Sequence, residues 1–186
     1  MDFAQAFERF FGIEMTPIYI VSQIIGLFGM LGHVISYQTK TQRKIMLWQL
    51  AASLCFCLSF FLQKGYTGMA LNMISAVRSV VYSNVQDKKW ANSIFFPVAL
   101  SAASIIAAAL TWGGWASAAP LCGQIIFAFA HRAKKPRTVR LLSLPGSLAW
   151  MLYNILIVNL SGIATEAFIS VSIITGICRY DLPRRK

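Results

Sequence analysis

Acidic side chains are scarce in this 186-residue chain: 6 Asp and Glu stand against 17 Lys and Arg, and charged residues make up only 12% of it. A soluble surface needs about twice that share of charge, so an ordinary globular domain is excluded. Catalytic signatures are missing too. There is no Gly-x-Ser-x-Gly elbow, no phosphate-binding glycine loop, no His cluster at metal spacing and no pair of carboxylates, so neither an enzyme nor a bound metal or cofactor is expected. The 4 cysteines, Cys55, Cys57, Cys122 and Cys178, form no Cys-x-x-Cys pair and lie in apolar runs, where they read as small buried hydrophobes. The opening MDFAQAFERFFGIEM puts acids where a signal peptide has its basic region and offers no small-residue cleavage site, so a cleaved signal is not expected.

What the chain has in quantity is apolar sequence, 57% of all residues. Seven apolar segments stand out, at about 16–37, 45–63, 67–84, 91–111, 115–131, 141–158 and 162–179; several are near the ~17-residue lower limit for a spanning helix. The expectation is an all-α polytopic membrane protein with seven transmembrane helices joined by short links. Lys40, Arg43 and Lys44 fall in the first link, Lys88 and Lys89 in the third, Arg132, Lys134, Lys135, Arg137 and Arg140 in the fifth, and Arg179, Arg184, Arg185 and Lys186 in the tail. With seven spans all four groups share one side, leaving Lys64 alone opposite. Basic short loops stay cytoplasmic, which places the N-terminus outside and the C-terminus inside. Contact with anionic lipid accounts for the net charge of +11, and no nucleic-acid partner is expected. Ahead of the first span, Phe3, Phe7, Phe10 and Phe11 recur at helical spacing among charged residues, as in an amphipathic helix at the membrane surface.

The chain also resembles itself. Gly29 and Gly123, Lys40 and Lys134, Arg43 and Arg137, Ser53 and Ser147, and Gly68 and Gly162 are identical pairs, each 94 residues apart. An odd number of spans per copy needs one linking span to restore orientation, so the expected architecture is 3+1+3 with parallel repeats. The divisions are an N-terminal interfacial helix at 1–15, a first three-helix repeat at 16–89, a linker helix at 90–112, a second repeat at 113–180 and a basic tail at 181–186. The linker run SAASIIAAA offers small side chains for close packing rather than chemistry.

At the same spacing Phe56 pairs with Trp150, and Asn72 with Glu166, the one acid inside the apolar run WMLYNILIVNLSGIATE. A carboxyl in a bilayer pays heavy desolvation and is therefore protonated, paired or functional. The plainer readings are a Glu favoured by the dipole in the first turns of its helix, an Asn making an interhelical hydrogen bond, and aromatics that face lipid. Related by a pseudo-twofold axis, the four side chains instead converge on one central pocket, and Phe56, Asn72, Trp150 and Glu166 are the expected substrate-binding residues. Secondary candidates are His33, Arg78, whose stem can also snorkel to the interface, and Tyr153 and Asn154, one turn beyond Trp150. Gln23, Gln49 and Gln124 read as interhelical hydrogen-bonding groups.

The run WMLYNILIVNLSGIATE resembles the corresponding segment of the SWEET and SemiSWEET sugar transporters, of the PQ-loop or MtN3-like group, in which a Trp-x-x-Tyr run leads to a pocket Asn. Over its whole length the chain, with ALNMISAVRSVVYS and GSLAWMLYNILIVNLSGIATEAF, is more similar to YgjV-type bacterial inner-membrane proteins. These resemblances imply a SWEET-like fold in a bacterial inner membrane. They also imply a small-solute transporter, uniporter or proton-coupled, for which a sugar-like substrate is one option. Neither GLFGMLGHVISY nor PLCGQIIFAF contains the Pro-Gln pair of that group, and Pro120 and Pro145 have Gly26 and Ala51 as their counterparts. The alternative is a non-transporting receptor or accessory subunit that holds a partner through its basic loops or its Phe-rich N-terminal helix. Two repeats can close a pocket within one chain, so monomer and homodimer both remain open.

Overall fold

The computed structural model describes residues 12, 14–38, 42–132 and 136–178. The interfacial helix expected at 1–15 and the tail at 181–186 fall almost wholly outside them. The described residues form α1 (Pro17–Gln38), α2 (Gln42–Leu62), α3 (Tyr66–Tyr82), α4 (Phe95–Leu110), α5 (Ala118–Ala130), α6 (Pro136–Leu156) and α7 (Leu160–Gly176), with 3₁₀ turns at Lys89–Asn92 and Trp115–Ser117 and no strand. Each apolar segment of the sequence becomes one helix. Pro17 and Pro136 open α1 and α6, where the missing N–H costs nothing.

Hydrogen bonds between remote residues define two ends of the bundle. Thr67 Oγ1 donates to the Thr111 carbonyl at 2.5 Å, Gly68 N to Tyr153 Oη at 3.1 Å and Tyr19 Oη to the Val158 carbonyl at 2.7 Å. The start of α1 and the links at 63–65, 111–117 and 157–159 therefore share one end, called here the neutral end. At the other, Arg132 Nε donates to the Asn92 carbonyl at 3.1 Å and Tyr82 Oη to the Ala128 carbonyl at 2.8 Å. Arg43, Lys44, Lys88, Lys89, Arg132 and Arg137 flank this basic end.

The solvent-facing pattern is inverted relative to a soluble protein. Ile24, Phe28, Leu54, Leu58, Phe61, Ile106, Leu110, Leu152 and Val171 point outward, while Ser22, Ser53, Ser59, Thr67, Asn72, Gln124, Ser147, Asn154 and Thr165 are buried. Apolar side chains so disposed suit hydrocarbon as their solvent, and polar ones find partners only inside. Stretches at Pro17–Ser36 and Arg43–Leu62 are long and apolar enough to cross a bilayer; those at Phe95–Leu110, Trp115–Ala130, Leu141–Leu156 and Leu160–Thr175 are apolar but shorter. The cysteines depart from expectation: Cys55 and Cys57 are half-buried, and Cys122 and Cys178 are exposed, on the outward surface where a thiol is as acceptable to lipid as to a core.

Packing falls into two groups. α1 packs on α2 and α2 on α3; α5 packs on α6 and α6 on α7; α4 bridges α3 and α5. The groups meet where α1 touches α7 and where α3 touches α5. Setting α1, α2 and α3 against α5, α6 and α7 makes these the same contact made twice.

The links at the neutral end repeat each other in detail. Gly65 N bonds the Phe60 carbonyl at 2.8 Å and Lys64 N the Phe61 carbonyl at 3.0 Å; Asn159 N bonds the Asn154 carbonyl at 2.8 Å and Val158 N the Ile155 carbonyl at 3.1 Å. Each is a Schellman helix end, which needs a left-handed residue at its turn. Lys64 (φ 58°) and Val158 (φ 52°) supply it and are the non-glycine residues with positive φ among those described. Every atom pair has its counterpart 94 positions on. A β-branched valine is a poor occupant of that region, so the surrounding contacts hold it there. Just beyond each link, Gly68 presses on the Phe60 and Tyr153 rings and Gly162 on the Asn154 amide, so closely that a Cβ would collide in both places.

Candidate functional site

Between the two groups lies a cavity of about 60 Å³, taken as the space open to water centres. One water needs roughly 10–15 Å³ on that measure, which leaves room for about four to six waters or one small solute. Helical periodicity selects its walls, because residues three or four apart share a face. α2 contributes Gln49, Ser53, Phe56 and Phe60, α3 Asn72, Ser75 and Arg78, and α1 His33. α5 contributes Phe127 and His131, α6 Trp150 and Asn154, and α7 Gly162, Thr165, Glu166 and Ile169. Eight lining residues thus come from each group and none from α4. Five pairs 94 apart line it together: His33 with Phe127, Phe56 with Trp150, Phe60 with Asn154, Asn72 with Glu166, and Ser75 with Ile169.

All four principal candidates reach this cavity. Phe56 and Trp150 are buried in a cluster with Phe60, Leu71 and Tyr153, not turned toward lipid. Ring centroids run His33 to Phe56 at 6.0 Å, Phe56 to Phe60 at 6.3 Å and Phe60 to Trp150 at 6.1 Å, an aromatic wall from α1 across α2 to α6. Glu166 accepts the Ser147 hydroxyl on Oε2 at 2.5 Å, and Ser147 Oγ lies 3.1 Å from Ser170 Oγ. These contacts fix one carboxyl oxygen. Glu166 is beyond the first turn of α7, which holds no acid, so the helix dipole, confined to that turn, does not account for it. Asn72 Nδ2 donates to the Gly68 carbonyl of its own helix at 2.9 Å, so that N–H serves α3 rather than a neighbouring helix.

Of the secondary candidates, His33, Arg78 and Asn154 line the cavity and Tyr153 does not. Tyr153 uses its hydroxyl to join α6 to α3 at Gly68. Arg78 does not snorkel: it is 6% exposed. Its Nη1 donates to Gln124 Oε1 at 3.2 Å, an oxygen that also accepts from Ser75 at 2.9 Å. Its Cζ stands 5.6 Å from the Phe127 ring centroid, and that ring stacks on His131 at 5.5 Å and 20°. Gln124 therefore bonds across helices as expected, and so does Gln23, whose Oε1 accepts from Ser161 N at 2.9 Å. Gln49 does not: its Oε1 is buried without a partner, as are His33 Nδ1, His131 Nδ1 and Gln124 Nε2.

Gln49, Ser53, Phe60, Ser75, Phe127, Gly162, Thr165 and Ile169 also line the cavity, and none of them was expected there from the sequence. The signal was present for some of them. Phe127 is the counterpart of His33, and Phe60 of Asn154, so extending the 94-residue comparison to the secondary candidates would have found both.

A family profile described as bacterial inner membrane protein, Imp-YgjV, matches residues 20–184. The chain belongs to that family. No curated protein and no solved structure matches it.

Proposed function

We propose that this member of the Imp-YgjV inner-membrane family is a carrier of small solutes, a uniporter or proton-coupled, with seven spans in a 3+1+3 arrangement. Its binding site is the cavity built around Phe56, Asn72, Trp150 and Glu166. The observation that carries the reading is the cavity's composition: equal contributions from two three-helix groups, and five pairs of lining residues at the spacing of the internal repeat. The matched Schellman links and the doubled helix contacts support the repeat. A pocket between pseudo-symmetric halves is where rocking of one half on the other would expose a solute to each side in turn.

In this reading the basic end is cytoplasmic and the neutral end external. The bonds of Tyr19, Thr67, Gly68, Asn159 and Ser161 close the external side, and the cavity extends inward to His131, at the C-terminal end of α5. No enzymatic role is proposed, since a single membrane carboxyl cannot perform two-carboxylate chemistry.

The test is thermal stabilisation of the purified full-length protein by sugars, amines, nucleosides and small organic acids, run in parallel on Glu166→Gln and Asn72→Ala. A solute at 100 times its Kd stabilises by about 2.7 kcal/mol. A shift seen in the wild type and lost in Glu166→Gln supports the site; solute binding or transport unchanged in both variants removes it. Deleting residues 1–14 separates the carrier from an accessory subunit, because a carrier keeps its solute response and a docking module that uses this segment loses its partner in a pull-down.

A further inference from the structure

The two regions of the cavity wall are chemically unlike, and the difference selects a ligand. Toward the neutral end, Glu166 and the Asn72 amide offer oxygen acceptors, while the Asn154 oxygen already accepts from Asn159. Toward the basic end, α1, α3 and α5 each bring a nitrogen-bearing side chain to the same wall, His33, Arg78 and His131. Arg78 is a permanent cation in any state of the protein. Its contacts with Phe127 and Gln124 hold the guanidinium at the wall rather than at the lipid interface. The Gln124 amide is oriented by that same contact: its oxygen faces Arg78 and Ser75, and its Nε2 is a buried donor without a partner. Each imidazole likewise keeps a buried, unpartnered Nδ1. Buried polar atoms left without partners are unfavourable; an imidazole in its Nδ1–H tautomer donates from that position, so the two lining imidazoles and one guanidinium form an arrangement that an anionic oxygen group would satisfy.

We infer that the basic end of the cavity is an anion subsite, and that the solute carries an anionic oxygen group there and a hydroxyl or amine toward Glu166. This rests on the carrier reading and names its substrate class. At about 60 Å³ the cavity fits a small hydroxy or amino acid, or a small phosphate, and is too small for a disaccharide. A guanidinium binds carboxylate and phosphate alike, so the two head groups are separated by experiment.

The measurement is the apparent Kd, from thermal shift in a neutral detergent, for lactate, for inorganic phosphate and for propane-1,2-diol, which replaces the lactate carboxylate by an alcohol. Either anion is expected to bind at least tenfold tighter than the diol, and the tighter of the two identifies the head group. Arg78→Gln removes that preference, while Arg78→Lys, which keeps the charge, retains part of it and controls for misfolding. His33→Gln weakens the anion several-fold and leaves the diol unchanged. A diol that binds as well as both anions, or an anion preference that survives Arg78→Gln, overturns the subsite but leaves the cavity as a binding site. If no solute of this or the wider panel binds the folded wild type, the subsite and the carrier reading fall together.

Discussion

The neutral and basic ends of the bundle are built from the same seven helices, yet they treat polar groups in opposite ways. At the neutral end most buried polar side chains near the links are used, with Gln63 Oε1 and Gln23 Nε2 left without partners. Asn159 caps α7 by accepting from Gly162 N at 3.3 Å and from the Ser161 hydroxyl at 2.9 Å, and donates to Asn154 at 3.1 Å. Ser59 reaches the Ser22 carbonyl at 2.8 Å, and Thr67 meets Ser117 at 3.0 Å. Toward the basic end, His33, Gln49, Gln124 and His131 each keep an unpartnered buried atom. Saturated networks rigidify a fold, and incompletely saturated ones are unfavourable unless something else completes them. Under the proposed carrier function, the less satisfied region is the one where a bound solute would complete the network.

That contrast can be broken most severely at Gly162. Gly162→Val drives a branched side chain into the Asn154 amide, and a loss of about 3 kcal/mol, near the upper end for overpacking, is expected in the unfolding midpoint. Asn159→Ala removes the α7 cap and two further bonds, and should cost about 1–2 kcal/mol by the same assay without altering solute specificity. At the other end the sign reverses. Gln49→Leu removes a buried acceptor with no partner and should raise stability by about 1 kcal/mol while weakening solute binding; a loss of stability would mean that Gln49 is already satisfied. The smallest effect sharpens the comparison within the neutral end. Val158→Gly relieves the left-handed valine, and a gain of up to about 1 kcal/mol in thermal stability is expected, against a smaller one for Lys64→Gly, where no β-branch is strained.

Much of this organisation was legible before any coordinate. Helix positions followed from apolar runs, and self-comparison at a spacing of 94 paired Asn72 with Glu166 and Phe56 with Trp150, four residues that line the cavity together. Arg78 was harder to read. A cation three-quarters of the way along an apolar helix can reach the interface or turn inward, and the choice depends on Gln124 and Phe127 of α5, which are distant in sequence. Tyr153 lies off the cavity wall for a related reason. It shares a helix with Trp150 but points at Gly68 on α3, and one position of rotation around a helix separates a cavity wall from a packing contact. Val158 gave no sign at all, since a valine ordinarily argues against the backbone it adopts here.

α4 contributes no side chain to the cavity, although it touches both α3 and α5. Its place in the chain is that of a tether, and a tether can be replaced by coincidence in space. Cutting the polypeptide at the exposed Gly113–Gly114 bend, where Gly114 has φ 103°, leaves one fragment with α1 to α4 and another with α5 to α7. Co-produced in one membrane, the two would reassemble a complete pocket from halves that differ in sequence. The single chain, on this view, is a heterodimer whose subunits have been made inseparable.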